Sequence, residues 1–403
     1  AVLTDKYMLI LLIYSIIFTA GSTLKTQALV YYSNYVLGTY NDGITQTLIN
    51  VIGGVPMGIG IFAVWPLAKK FGKKNVSVAG FVLYALGSLI CWLAPTNMVI
   101  VLAGQFIKNI GGLPCAYIFM SLFSDSFDHL EWKTGFRSDS LAMSIYSTIS
   151  VVLIGVGMSV LNACLNASGY IPPINAGTLE EAESILAANG WLSQLPIGDY
   201  HAAIDGTFTV GIAQPESTIS VIAFLFVGLE VLTGVISAIL LSLVGVEKTL
   251  ERKQQIIRAR QRAAVEASGE VWVEPEVRAA EEQKRQDAEA EESYCKELKE
   301  RCERKHLNYE AELAKHVEAV RKKEEKQAEK ERLSKIKAEE KAKRAAEKQV
   351  QKLAKLTPEQ KQKRDARRLA QEKKDEARWQ AEKAKGEAYY EKMQKALAAA
   401  EAK

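Results

Sequence analysis

The chain has 403 residues, 24% of them charged, with a formal net charge of +4 and a mean hydropathy of −0.03. These averages conceal two unlike parts: residues 1–250 hold 10 Lys+Arg and 14 Asp+Glu, and the remainder holds 41 and 33. The five Cys follow no CxxC or Cys/His spacing, which excludes a zinc module and a disulfide framework, and the two parts are read separately.

The chain opens AVLTDKYM, with Lys6 ahead of the first apolar run and no small-residue cleavage site after it. The run therefore reads as a membrane span and not as a signal peptide. Without an initiator Met, the start reads as that of a piece of a longer protein. Apolar runs at about 7–31, 44–68, 76–94, 98–123, 140–165 and 217–246 are each long enough to cross a bilayer core. A core of ~30 Å takes about 20 residues of helix. The runs lack period-two alternation, so they predict helices, six in all.

Loop charge orients them. The links at 69–75 (KKFGKKN) and 125–139 carry Lys69, Lys70, Lys73, Lys74, Lys133 and Arg137, whereas 32–43, 95–97 and 166–216 carry no Lys or Arg. The positive-inside rule then puts both termini in the cytoplasm, which requires an even number of spans. The long outer loop, 166–216, contains TLEEAESILAANGWL, in which Thr178 and the acids after it predict a short helix over 178–192.

After Leu250 the composition turns to Ala, Glu, Lys, Arg and Gln, which predicts helices over 276–356 and 358–400. Pro275 marks the first start. Thr357-Pro358-Glu359-Gln360 marks the second, with an N-cap, Pro at the first helical position and Gln three residues on. Large apolar residues such as Leu313, Val317, Leu333 and Ile336 never sustain a heptad. The tail reads as a pair of long solvated helices, with a coiled coil or a partner-docking helix as the alternative. Arg252, Lys253 and Arg258 suit anionic lipid or serve as topology anchors. Interleaved acids and few aromatics argue against nucleic acid. Two regions follow: 1–247 in the membrane and 248–403 outside it, with a break near 357.

Charge inside a span is costly, so each instance is a candidate for function. Lys25 and Gln27 lie deep in the first span, with Tyr31 and Tyr32 beyond them, aromatics that suit sugar stacking or an interfacial belt. Asn50 precedes the glycine-rich VIGGVPMGIG. Gln105, Lys108 and Asn109 precede Gly111-Gly112-Leu113-Pro114, a run expected to interrupt the helix as in transport sites. Glu230 is a partner for either lysine. The plainer alternatives are buried ion pairs and close helix packing. His129, Tyr200, His201 and His306 stand apart, and no nucleophile–base set, metal spacing or phosphate loop occurs, so neither an enzyme, a metal nor a cofactor is expected.

Residues 125–140, DSFDHLEWKTGFRSDS, resemble the signature of the glycoside–pentoside–hexuronide:cation symporters, the melibiose-carrier-like family. GGLPCAYIFMSLFSD, YYSNYVLG and WPLAKKFGKKN are similar to the family as well. The resemblance covers residues 1–250 or so. It implies the C-terminal half of a twelve-helix major-facilitator fold, with the signature as the cytoplasmic loop between the tenth and eleventh helices. It implies cation-coupled (Na⁺ or H⁺) symport of a glycoside, oligosaccharide or hexuronide by alternating access. The cation site would lie largely in an N-terminal six-helix half, which would be a partner beside the bilayer and the sugar. Asp125, Asp128, Glu131, Lys133, Arg137 and Asp139 become a candidate gating loop. Where relatives carry a lysine in the helix after the loop arginine, this chain is apolar near Val151. A bacterial inner-membrane location is expected. The alternatives are a non-transporting anchor that presents the helical tail and a facilitator for a non-sugar solute.

Overall fold

The structure is a computed structural model and describes residues 5–39, 43–176, 178–188, 201–202, 208–210, 214–305, 308–354 and 357–401. The chain forms two compact units, Ala1–Arg258 with Lys385–Lys403, and Ala259–Ala384.

The first unit is a helical bundle. Helix α1 (Lys6–Tyr31) starts where the Asp5 carboxylate accepts the N–H groups of Tyr7 and Met8, at 3.1 and 3.2 Å, and it runs into a π turn at Tyr32–Val36. Helices α2 (Gly43–Phe71) and α3 (Lys73–Leu93) are joined by Gly72, whose φ of +87° is open to glycine at little cost. Helix α4 (Met98–Thr134) is capped by Asn97 at its start and ends on left-handed Gly135. Helix α5 (Asp139–Ser168) follows. A short helix α6 (Leu179–Ala188) and three strands come before the last span. That span is α7 (Glu216–Ala223), a π turn at Phe224–Gly228, and α8 (Leu229–Leu243).

Among the described residues, five helical segments are long and apolar enough to cross a membrane, or six when the two parts of α2, bent by 47°, count as one. Large side chains such as Phe62, Trp65, Leu93 and Val151 stay exposed on the outside of the bundle, as a lipid-facing surface requires.

Two sequence expectations are corrected in α4. Residues 125–134 are not loop: they are the last turns of the helix, which at 37 residues is about 55 Å long and outruns a ~30 Å core. Only Gly135 to Ser138 are non-helical, Asp139 opens α5, and the αL cap at Gly135 sets the stop. The Gly111-Gly112-Leu113-Pro114 run does not break the helix either. A Cβ at Gly111 would lie 2.3 Å from the backbone nitrogen of Tyr84 in α3, and one at Gly87 would lie 2.4 Å from that of Lys108. Gly80 and Gly104 complete the row, and Pro114 packs its ring against the Gly80 position. The small residues bring two backbones together instead of weakening one.

Among the described residues, Val64 and Ala68 pack with Leu113, Ile118 and Leu122, and two larger apolar clusters fill the rest of the bundle. One joins Met8, Leu11 and Tyr14 to Phe81, Phe123, Leu130 and Leu241. The other joins Ala28 and Tyr32 to Val101, Leu161 and Phe226. Between them, on α1, α4 and α8, lie the charged residues of the spans.

Ahead of the last span, Thr178 Oγ1 accepts the Glu181 N–H at 3.2 Å, which caps α6. Strands β1 (Ile174–Ala176), β2 (His201–Ala202) and β3 (Phe208–Val210) form an antiparallel sheet in the order β1-β3-β2. The sequence reading did not foresee it, because strands of two and three residues carry no periodicity to read. Tyr200 and His306 lie outside the described residues.

Helix α9 (Leu250–Ala267) follows the last span, another element the sequence reading left unassigned. The second unit holds α10 (Pro275–Lys305), α11 (Tyr309–Ala354) and the first part of α12 (Pro358–Glu401). The single helix expected over 276–356 is therefore two. Asn308 Oδ1 takes the Ala311 N–H at 3.2 Å and starts α11 anew. The pair is closed by His316, which stacks on Tyr294 and reaches Glu291 at 2.9 Å. Thr357 and Gln360 exchange the reciprocal bonds of a capping box at the head of α12.

Candidate transport site and charged end

Midway along the spans, four helices contribute to one polar cluster. Glu230 stands two residues after the π turn of the last span, where the widened turn re-aims the helix face. Its Oε1 lies 2.8 Å from Lys108 Nζ of α4 and 3.4 Å from Lys25 Nζ of α1, and accepts the Tyr84 hydroxyl of α3 at 3.0 Å. Gln105, one turn from Lys108, accepts from Lys25 at 2.8 Å. Its amide nitrogen faces Cys91. The second carboxylate oxygen, Glu230 Oε2, has no hydrogen-bond partner among the described residues. Glu230, Lys108 and Gln105 are buried, while the Lys25 side chain keeps 18% of its exposure. Two lysine amines share one carboxylate. Lys25 is the accessible member, held by an amide and a longer ion pair. Lys25 can give up its bond to Gln105 while Glu230 keeps Lys108.

A cavity of about 300 Å³ opens between α1, α4 and α5, with Tyr14, Phe18, Phe119 and Tyr146 as its aromatic walls. Ser22 and Thr23 line it as well, within one turn of Lys25. Of the other candidates, Gln27 donates to the Ile154 carbonyl at 3.3 Å, and its Oε1 has no hydrogen-bond partner among the described residues. Tyr32 is fully buried, stacked on Phe226 and hydrogen-bonded to the Pro95 carbonyl. Tyr31 packs edge-on to Tyr170. Asn50 is exposed on α2 and Asn109 half-buried on α4. Among the described residues, none of these five touches the charged cluster.

At the basic end, each charge of the signature has a partner on a neighbouring element. Asp125 takes Lys73 of α3 at 2.8 Å, and Lys133 reaches Asp5 at 3.1 Å. Arg137 lies 2.8 Å from Asp139, 3.4 Å from Glu131 and 3.6 Å from Asp128. Asp128 also accepts from Gln254 of α9 at 2.7 Å. His129, which the sequence left isolated, is central here. Its Nδ1 meets buried Lys253 at 2.9 Å and its Nε2 lies 3.4 Å from Asp5. With Lys253 donating to Nδ1, the imidazole carries its proton on Nε2 toward Asp5. Asp5 and Lys253 were also missed. Thr4-Asp5 ahead of an apolar run was the readable cap signal. The charge on Lys253 looked like one of a crowd.

Burial alone would raise the Asp5 carboxyl, but His129 and Lys133 outweigh it and hold the group well below the usual carboxylate range. A depressed pKa in the folded state contributes stability that is complete above the ordinary value of about 3.9 and is lost as pH falls through the folded value. Asp5→Asn keeps a capping oxygen and removes the charge. Its melting temperature should lie below wild type at pH 7, with a gap that closes as pH drops below about 4. A gap independent of pH in paired melts would refute the charge role.

Several apolar spans around a buried charged layer define a multi-pass membrane protein. Residues 1–194 match the family described as MFS/sugar transport protein. Over that stretch the chain is similar to the melibiose-carrier-like family, whose members are transporters. It is 29% identical over 163 residues to the raffinose carrier protein of Pediococcus pentosaceus, covering 40% of this chain and 23% of that one. It is 26% identical over 164 residues to the isoprimeverose transporter of Lactiplantibacillus pentosus, covering 40% and 33%. It is 25% identical over 177 residues to the glucuronide carrier protein homolog of Escherichia coli (strain K12), covering 42% and 36%. The chain thus spans well under half the length of the curated relatives it matches.

Proposed function

We propose that residues 1–247 are the C-terminal half of a secondary active transporter, which moves a glycoside, oligosaccharide or hexuronide with Na⁺ or H⁺ by alternating access. A second six-helix half completes the pathway and holds most of the coupling-cation site. The protein sits in a bacterial cell membrane, with its basic end and both termini in the cytoplasm.

The observation that carries this reading is the layer Lys25–Gln105–Lys108–Glu230, set between two apolar clusters and beside a cavity with hydroxyl and aromatic walls. A bundle that served only as an anchor gains nothing from two lysines and a glutamate gathered in its spans, where ionisable groups are expensive. A sugar offers rings for Tyr14 and Phe18 and oxygens for Ser22 and Thr23. At the basic end, Arg137 has three carboxylates within 3.6 Å on both sides of the α4–α5 turn. That clasp can close in one state and part in another, as gating requires.

The test is uptake of radiolabelled glycosides and uronides by the full-length gene product in proteoliposomes. Flux that needs a Na⁺ or H⁺ gradient and falls at least about tenfold in Lys25→Ala is expected, since a lost charged hydrogen bond is worth ~1.5–3 kcal/mol. Absence of flux with every sugar would refute the reading. For the clasp, Arg137→Ala is expected to change the maximal rate several-fold while leaving sugar affinity within about twofold. Equal loss of binding would instead make Arg137 part of the sugar site.

A further inference from the structure

The first unit includes residues 385–401 at the far end of the charged tail, and this stretch differs from the tail around it. Gly386 is the only glycine after Gly269, in a segment otherwise built from strong helix formers. It lies inside α12, where glycine weakens the helix and needs a packing reason. The reason is Trp132: a Cβ at Gly386 would lie 2.0 Å from the tip of the indole. One turn on, the Tyr389 ring sits 4.9 Å from Lys133 Nζ. Tyr390 and Gln394 both approach to 2.8 Å of the Cβ position of Gly135. Gly386, Tyr389, Tyr390 and Gln394 form one stripe at helical spacing. They meet three residues of the signature that have no part in the Arg137 clasp.

We infer that residues 385–401 are an intramolecular latch: they dock on the end of α4 and on the α4–α5 turn, and they restrain the gating motion there. The latched surface is also fixed from within, because Lys253 Nζ lies 5.1 Å from the Trp132 ring and binds His129. With the helix seated, Trp132 is 1% exposed. The docking is seen in the Gly386 contact with Trp132, the cation–π pair of Lys133 with Tyr389 and the crossing at Gly135. Gly135 is suited to the crossing twice over. Its φ of +82° is open to glycine, and a side chain there would collide with Tyr390. The stripe is what a regulator, or a partner competing for the tail, would lift away. The consequence for transport rests on the reading given under Proposed function; the docking itself does not.

Gly386→Leu separates these. Leucine strengthens the helix and places its side chain where Trp132 stands, so docking fails without loss of the tail. Hydrogen–deuterium exchange of the full-length gene product in nanodiscs should show amides of residues 129–138 exchanging about tenfold faster in Gly386→Leu than in wild type. Tyr390→Ala, which removes bulk, should give a smaller change in the same direction. Proteoliposome uptake should rise several-fold in initial rate in Gly386→Leu at unchanged KM. Unchanged exchange at 129–138 in both variants overturns the docking. Faster exchange with unchanged or lower uptake overturns the restraint. If wild type and variant alike carry no sugar, the transport reading fails, and the exchange result alone decides the latch.

Discussion

Glu230→Gln is expected to be the most damaging single substitution in the bundle. It strands Lys108 and Lys25 together, the first of them fully buried. Breaking a buried ion pair by removing one partner costs ~3–5 kcal/mol, because the remaining charge has lost its counter-charge and cannot reach water. Lys108→Met should cost less, about 1–3 kcal/mol, because Lys25 stays 3.4 Å from the carboxylate and takes over. The double variant Lys108→Met with Glu230→Leu should regain most of the loss, since the ammonium of Lys25 keeps Gln105 and partial access. Thermal melts of the four proteins in detergent, arranged as a double-mutant cycle, read this directly. Glu230→Gln melting with wild type would sink the account. The same double variant should be inactive in transport even though it is stable, which distinguishes a stabilising pair from a working one.

The second large effect is expected at the α3–α4 crossing. Gly87→Val places a side chain 2.4 Å from the Lys108 backbone nitrogen and 2.8 Å from the Gly104 carbonyl oxygen. Neither is the end of a flexible side chain, so the two helices must part. Overpacking of this kind costs ~1–3 kcal/mol even where side chains can yield, and here the backbone cannot. Parting the helices also draws Lys108 away from Glu230, so uptake should fall along with the melting temperature. Gly54→Ala is the control: nothing lies within 4 Å of its Cβ position, and alanine in place of an interior helical glycine gains up to ~1 kcal/mol. If Gly87→Val behaves like Gly54→Ala, the crossing is looser than described.

Much of the site was legible in outline. Lys25, Lys108 and Glu230 stood out because a charge in a run of twenty apolar residues is a costly exception. Their mutual contact was not legible, since it depends on how four helices rotate about their axes. Asn50, Asn109, Tyr31 and Tyr32 carried the same kind of signal, yet they sit on other faces or in packing. A polar residue near a span end is cheap, so its presence says little. The glycines of α4 were misread for a related reason. Gly-Gly-x-Pro weakens an isolated helix, but whether a partner backbone fills the gap is a property of the neighbour.

By itself the sequence determined the apolar spans, the break in composition after Leu250, the family signature at 125–140 and the places where charge enters the membrane. Each rests on a local or additive quantity: hydropathy over a window, charge per loop, a short pattern of side chains. The tertiary structure alone decided that one carboxylate holds two lysines, that α3 and α4 meet through glycine, and that His129 links Asp5 to Lys253. It alone brought residues 385–401 to Trp132, across more than 250 residues of chain. These are pairings between distant segments. Their energy depends on close approach over a few ångströms, and no local property of the chain fixes which distant groups will meet.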